Sequence, residues 1–299
     1  MKNKSTETKN KSNSLTWLIV GLCLLTFAYY KFAYNPKIST ASKNVGSLQS
    51  PELTVASGDN IPIGSHGQII HHKFYSLSYI EENEQAEWVA YVLNVNNLRR
   101  PHVKYNRRFT DDKDVKTQSA FHNDYTNTGY TRGHLVPAGD MSFDIEALRE
   151  CYLMSNMSPQ IKAFNNGVWK ELEEQTRDWA FQKGKLYIVA GPLFNGTNVK
   201  KIGHHKIAIP NQFYKGILYI DDNENATAIG FIIPHQMCDQ KLESYAVPID
   251  VIEQKIGLNL FANLIEENIE QSVESNIDFI KWPISEARFQ LRVSKWNKE

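Results

Sequence analysis

A chain of 299 residues with 33 basic and 33 acidic side chains carries no formal net charge. The length fits one large domain or two small ones, and the balance removes the strongly basic signature of a nucleic-acid binder, leaving only a local concentration of cations open. Three cysteines (Cys23, Cys151 and Cys238) with no CxxC exclude a disulfide framework and a structural zinc spacing; a single Cys151–Cys238 bridge stays open.

Residues 1–15 form a basic polar tail holding Lys2, Lys4, Lys9 and Lys11. Residues 16–34 follow as an apolar stretch close to the ~20 residues that span a bilayer, with Trp17 at one end and Tyr29, Tyr30, Lys31 and Tyr34 at the other as interfacial anchors. No small-x-small cleavage site follows, which favours an uncleaved transmembrane anchor over a signal segment. The lysines predict a cytoplasmic N-terminus and a membrane-anchored domain on the extracytoplasmic side, periplasmic or secreted if the segment is cleaved. Residues 35–60 read as a linker rich in Ser, Asn, Pro and Gly, and the folded domain is expected over 61–299.

Alternation from Phe74 to Tyr79 and an apolar run from Glu87 to Leu93, separated by polar Glu81 to Gln85, predict an antiparallel hairpin. Residues 94–114 are polar and basic, with Arg99, Arg100, Lys104, Arg107 and Arg108, and end in Asp111, Asp112 and Asp114; those three acids read as a solvated turn rather than a metal cluster. Phe143 to Cys151 has helical character, and Tyr152 to Pro159 is strand-like up to a proline stop. The clearest helix runs from Asn165 to Phe181, with Val168, Leu172, Thr176 and Trp179 on one face and Gly184 as its end. Further strands are expected at Leu186–Ala190 (closed by a Gly191-Pro192 turn), Ile207–Pro210, Phe213–Ile220 and Thr227–Ile233. Lys200, Lys201, His204, His205 and Lys206 make a basic loop that lacks a third ligand for zinc. Val247 to Leu264 reads as a helix and Glu266 to Glu274 as an acidic, exposed segment. Strands and helices do not alternate regularly, so an α+β domain with a mainly antiparallel sheet flanked by helices fits better than a doubly wound parallel one.

The chemistry starts at Gly129-Tyr130-Thr131-Arg132-Gly133-His134-Leu135-Val136-Pro137-Ala138-Gly139-Asp140-Met141. In an extended chain Arg132 and His134 share a face, Gly133 leaves room for an anion against the backbone, and Pro137 ends the strand near His134. The bland alternative is a turn with a satisfied histidine. Downstream, Asn165 stands at the start of the strong helix as a cap. In a regular helix Glu173 lies about 12 Å further along the axis and leans back towards it. The pair suits one Mg²⁺ ion held between a carbonyl and a water contacted by the carboxylate. A neutral histidine, a hydrated hard cation and arginines are what metal-assisted phosphodiester hydrolysis requires.

The stretch Tyr130 to Ala138 resembles the signature of the DNA/RNA non-specific endonucleases, the ββα-metal family of Serratia nuclease and endonuclease G type. Met154-Ser155-Asn156-Met157-Ser158-Pro159-Gln160, then Phe164-Asn165-Asn166-Gly167-Val168-Trp169 and Leu172-Glu173, is similar to that family's second block in the same order. Weaker echoes are Glu87 to Tyr91, Gly191-Pro192, Ile209-Pro210 and Phe213-Tyr214-Lys215, so the likeness covers roughly residues 70–265. It implies a ββα-metal nuclease fold, His134 as general base, Asn165 as the metal ligand, Glu173 as the acid holding a water of the ion, and Arg132 as the signature arginine. Arg107 best matches the upstream arginine at the scissile phosphate, with Arg108 adjacent. Thr131 replaces the usual aspartate, so any orienting role must come from its hydroxyl.

The implied activity is Mg²⁺-dependent, sugar non-specific cleavage of DNA and RNA to 5′-phosphate and 3′-hydroxyl ends, with Mn²⁺ as a substitute. Substrate is held by Arg107, Arg108 and Arg132 through backbone contacts, and the 99–108 and 200–206 stretches supply the local basic groove. The alternative is a membrane-tethered nucleic-acid-binding protein on an inactive nuclease fold. Partners are DNA, RNA and the membrane; a homodimer and a protein inhibitor are left open.

Overall fold

The alternation around residues 74–93 produces the expected hairpin. In the computed structural model, which describes residues 60–196 and 199–298, β1 (Gln68–His71), β2 (Ser76–Ile80) and β3 (Gln85–Asn94) form an antiparallel meander followed by the single turn α1 (Val95–Leu98). The readings of residues 1–15, 16–34 and 35–59 lie outside the described residues. β6 (Lys185–Leu193), β9 (Gln212–Ile220), β10 (Ala226–Pro234) and β11 (Ala246–Val247) complete an antiparallel sheet of order β1-β2-β3-β6-β9-β10-β11. Two ribbons stand apart from it: β4 (Thr131–His134) with β5 (Met157–Gln160), and β7 (Lys201–Ile202) with β8 (Ile207–Ala208).

Period-two alternation divides the sheet between two cores. Val89, Tyr91 and Leu93 of β3 face a core with Val168, Leu172, Trp179 and Ala180, whereas Trp88 and Ala90 face one with Ile249, Ile252, Leu260 and Phe261. The first face is covered by α2 (Ile145–Cys151) and α3 (Lys170–Lys183). The predicted apolar stripe is fully buried, and each of its large side chains contributes about 1.5–3 kcal/mol relative to exposure. Gly184, at φ 90°, ends α3 and donates to the Ala180 carbonyl at 2.8 Å. The second face carries α4 (Ile249–Ile256) and α5 (Glu267–Glu274), both packed on β10.

Several sequence expectations change. Gly191 and Pro192 continue β6 instead of turning, because the β3 ladder ends at Ala190 and the missing proline N–H falls where that side of β6 has no partner. Pro159 likewise lies inside β5, which has a neighbour only in β4. The helix expected to reach Leu264 stops at Gly257, whose left-handed backbone (φ 71°) closes α4. Residues 266–274 are not uniformly exposed: α5 buries Val273 and Glu274. Cys151 and Cys238 are free thiols.

A last helix, α6 (Glu286–Ser294), is clasped to α3 by a buried cation. The Arg292 guanidinium pairs with Glu171, both side chains fully buried, and also donates to the carbonyls of Cys238 and Gln240. Removing one partner of a buried pair leaves an uncompensated charge. Arg292→Ala should therefore lower the unfolding free energy in urea by about 3–5 kcal/mol, whereas Arg292→Met with Glu171→Gln should recover most of that loss; a single variant as stable as wild type would contradict the clasp.

Candidate active site

β4 ends at His134, as Pro137 requires, and its register with β5 pairs Thr131 with Gln160 and His134 with Met157. Arg132 and His134, two residues apart on β4, both pack near Phe109: the guanidinium lies 5.4 Å from that ring and the imidazole centroid 5.9 Å. Arg132 is further held by the Tyr125 ring and by donating through Nε (3.1 Å) and Nη2 to the His122 carbonyl. The space over Gly133 is filled differently from the sequence reading. A Cβ there would meet Gln160 Cδ at 2.1 Å, so the glycine admits a buried glutamine side chain rather than an anion. Asn156 fixes the turn beyond the strand, accepting from Val136 N–H at 2.9 Å and donating to the carbonyls of Val136 and Cys151.

His134 is packed edge-on to Tyr152 with ring centroids 4.7 Å apart. Its Nε2 is buried and has no hydrogen-bond partner. Burial, reinforced by the Arg107 guanidinium, lowers its pKa to about 4. The imidazole is therefore neutral at pH 7, with its ring held in place and one nitrogen uncommitted.

Asn165 is not a helix cap. The backbone is already helical at residue 162, passes through a π-helical stretch (Phe164–Trp169) with a kink at Gly167, and only then enters α3. The regular 100° spacing between Asn165 and Glu173 therefore does not apply. The Asn165 N–H bonds Ile161 O at 3.0 Å, which frees its side chain to meet β4. Thr131 Oγ1 donates to Gln160 O at 2.8 Å, so its single proton is committed and it must accept from Asn165 Nδ2, 2.9 Å away. The threonine thereby sets the amide with its nitrogen towards β4 and its carbonyl oxygen turned away, free for another partner.

Glu173 belongs to a half-buried charge cluster that sequence reasoning did not assemble. Burial pushes its carboxyl up to about 7, against the pull of Lys215 and Arg177. Lys215 is fully buried, its Nζ unpartnered and 4.9 Å from the Trp169 ring, while Trp169 Nε1 donates to the His134 carbonyl at 3.4 Å. Asp140 binds Arg177 Nη1 at 2.7 Å and the Tyr91 hydroxyl at 2.8 Å. The available signal was a lysine inside the otherwise apolar strand Phe213–Ile220, and Asp140 at the end of the signature stretch.

Arg107, His102 and Lys104 line a cleft of about 530 Å³ whose wall includes Tyr152, the residue against His134. Arg107 holds a left-handed backbone (φ 47°), a conformation costing roughly 1–2 kcal/mol for a residue with a Cβ. Arg108 is exposed and does not line this cleft. The 200–206 loop packs instead on the 3₁₀ turn His122–Tyr125, where Asp124 accepts from the backbone N–H groups of His204 and His205 and meets His205 Nδ1 at 2.8 Å. Asp112 is not solvated: it is 2% exposed, bonded to His72 Nε2 (3.0 Å), Ser155 and the Asp114 N–H. With both oxygens engaged, it ties the 111–114 turn to His72 and to Ser155 just before β5.

Residues 57–267 match the family model of the DNA/RNA non-specific endonucleases. The chain belongs to that family. It is 31% identical over 243 residues to the mitochondrial nuclease EXOG of Xenopus laevis, covering 72% of this chain and 66% of that protein. It is 32% identical over 222 residues to nuclease C1 of Cunninghamella echinulata var. echinulata, covering 67% and 85%. A crystal structure of an EndoG/EndoGI complex superposes with a TM-score of 0.61 at 25% identity, over 67% of this chain and 87% of that one. The family's mixed α and β architecture with a mainly antiparallel sheet is the one found here, and the chain is an endonuclease of a metal-dependent nuclease family. The membrane-anchored, extracytoplasmic location expected from residues 16–34 is corrected. The Xenopus relative is a mitochondrial nuclease, and among the described residues no helix is long and apolar enough to cross a membrane.

A neutral histidine with a buried ring nitrogen leaves a stability signature. Its folded pKa of about 4 lies below the ordinary 6.5, so the unfolded chain binds the extra proton first. The stabilising contribution is complete above pH 6.5 and declines as pH falls from there towards 4. The His134 Cε1 proton should show an NMR titration midpoint below pH 5, and His134→Ala should lose less stability than wild type across that window; a midpoint near 6.5 would contradict the buried geometry.

Proposed function

We propose that the chain hydrolyses phosphodiester bonds in DNA and RNA with Mg²⁺, with Mn²⁺ as a substitute, using His134 as general base. The observation that carries this reading is the neutral imidazole with an unpartnered Nε2, set beside the Arg107-lined cleft. A base must be deprotonated and free to accept, and an imidazole neutral at pH 7, with Nε2 uncommitted on a ring packed against Phe109 and Tyr152, supports that role. His134 accepts the proton of the attacking water; its pKa rises as the phosphate anion enters, which helps it keep that proton.

Asn165 Oδ1, turned outwards by Thr131, would hold the hard cation directly, and the Glu173 carboxylate would hold one of its waters. When bound there, Mg²⁺ would neutralise charge on the phosphate and on the leaving oxygen. Lys215 and Arg177 keep Glu173 from losing its charge entirely to burial, so it remains able to ionise near neutral pH. Arg107 and Lys104 meet phosphate oxygens in the cleft. Arg132, tied to His122 O, adds fixed positive potential beside the base. Backbone contacts of this kind read no base edges, which supports cleavage with little sequence preference in both DNA and RNA.

Plasmid DNA and a structured RNA incubated with the full chain test this directly. Cleavage should require Mg²⁺, stop in EDTA and fall by at least about 100-fold in His134→Ala. Thr131→Val, which removes the hydroxyl but keeps the shape, should lower activity about 10- to 100-fold, with part of the loss recovered at high Mg²⁺. Cleavage that survives EDTA or the histidine substitution would overturn the mechanism, and binding without cleavage under all conditions would favour an inactive nucleic-acid-binding fold.

A further inference from the structure

On the sheet face opposite α3, α4 and α5 bring four carboxylates together: Asp250 and Glu253 from α4, Glu270 and Glu274 from α5. One oxygen each from Asp250, Glu253 and Glu274 lie within 4.8 Å of one another. Glu274 is 2% exposed, and its Oε1 is buried with no hydrogen-bond partner. Among the described residues no salt bridge reaches any of the four, and the charges acting on Glu274 are the other three carboxylates. An unpaired carboxylate in such a place is costly unless something positive accompanies it.

The other three acids are oriented from outside. Gln271 Nε2 donates to Asp250 Oδ2 at 3.1 Å, the Leu260 N–H to Glu253 Oε1 at 2.7 Å, and Asn259 Nδ2 to Glu270 Oε1. Each donor takes one oxygen and leaves the second free, which is how outer partners hold ligating carboxylates in place. Burial and mutual repulsion push Glu253 up to about 7 and Glu274 up to about 8, the direction expected of clustered carboxylates with no cation between them.

We propose that Asp250, Glu253, Glu270 and Glu274 form a structural binding site for a divalent cation of the calcium class, which ties α5 to α4. Calcium takes six to eight oxygens at about 2.3–2.6 Å. Two ligands across such an ion stand roughly 5 Å apart, in line with the 4.8 Å limit on the three oxygens. Mg²⁺ demands a tighter octahedron and keeps its waters. Glu270 and Glu274 lie beyond residue 267, where the family match ends, so half of the site is built by chain outside the shared nuclease region. The site is independent of the hydrolytic reading: it neither touches His134 or Asn165 nor shares their sheet face.

Thermal melts and calorimetric titration of the full chain in CaCl₂ or MgCl₂ test it, in an Asn165→Ala background that removes the ligand proposed for the other ion. Millimolar Ca²⁺ should raise the Tm by roughly 5 °C, with Mg²⁺ weaker, and titration should give one Ca²⁺ per chain. Glu274→Gln and Glu253→Gln should each abolish the calcium shift. In EDTA, Glu274→Gln should melt no lower than its parent, because it relieves buried repulsion; this separates loss of binding from loss of folding. A Tm unmoved by Ca²⁺, a shift that survives both substitutions, or a larger response to Mg²⁺ would overturn the proposal.

Discussion

A single hydroxyl couples the two halves of the catalytic region. Thr131 gives its proton to β5 and its lone pair to Asn165, so one residue both closes the β4–β5 ribbon and sets the amide on the neighbouring helix. A carboxylate at this position would accept from the asparagine but could not donate to the Gln160 carbonyl unless protonated. The neutral threonine side chain also leaves one negative charge fewer beside His134, which favours the unprotonated imidazole.

The region around this coupling concentrates polar groups that folding alone would not favour. His134 Nε2, both polar atoms of the Gln160 side chain and Lys215 Nζ are all buried without hydrogen-bond partners. Each such group costs about 1–3 kcal/mol; aromatic rings pack beside two of them, Phe109 and Tyr152 at His134 and Trp169 at Lys215, and Trp169 stacks in turn with Phe164 and Phe213. The rings hold α3 and its kinked entry against the sheet, so that the unsatisfied groups stay fixed in place. On the opposite sheet face the same kind of imbalance recurs around Glu274, with carboxylates alone.

The parts of this arrangement governed by local periodicity were legible in the sequence. Alternation placed Arg132 and His134 on one face, Pro137 limited the strand, and the 3.6-residue stripe with Gly184 located α3. What depended on distant partners was not. Asn165 looked like a cap because a helix start is a local pattern, whereas its actual partner, Thr131, is 34 residues away. Lys215 joins Glu173 only after β9 is placed in the sheet, and Asp112 becomes buried only when His72 and Ser155 close over it. Glu274 read as exposed because an acidic helix usually is, and only the packing of α5 on β10 makes it otherwise. Gly133 was correctly singled out, but as room for an anion; the register with Gln160 gives it a different reason.

Thr131 turns the Asn165 carbonyl outward, and in the proposed mechanism that oxygen holds a hard cation beside a neutral His134. Anomalous diffraction from crystals soaked in Mn²⁺ tests it most directly. The expected result is a peak about 2.0–2.3 Å from Asn165 Oδ1, with Nδ2 still bonded to Thr131 and no manganese on the imidazole. An ion bound by His134, or an Asn165 amide turned away from the metal, would contradict it.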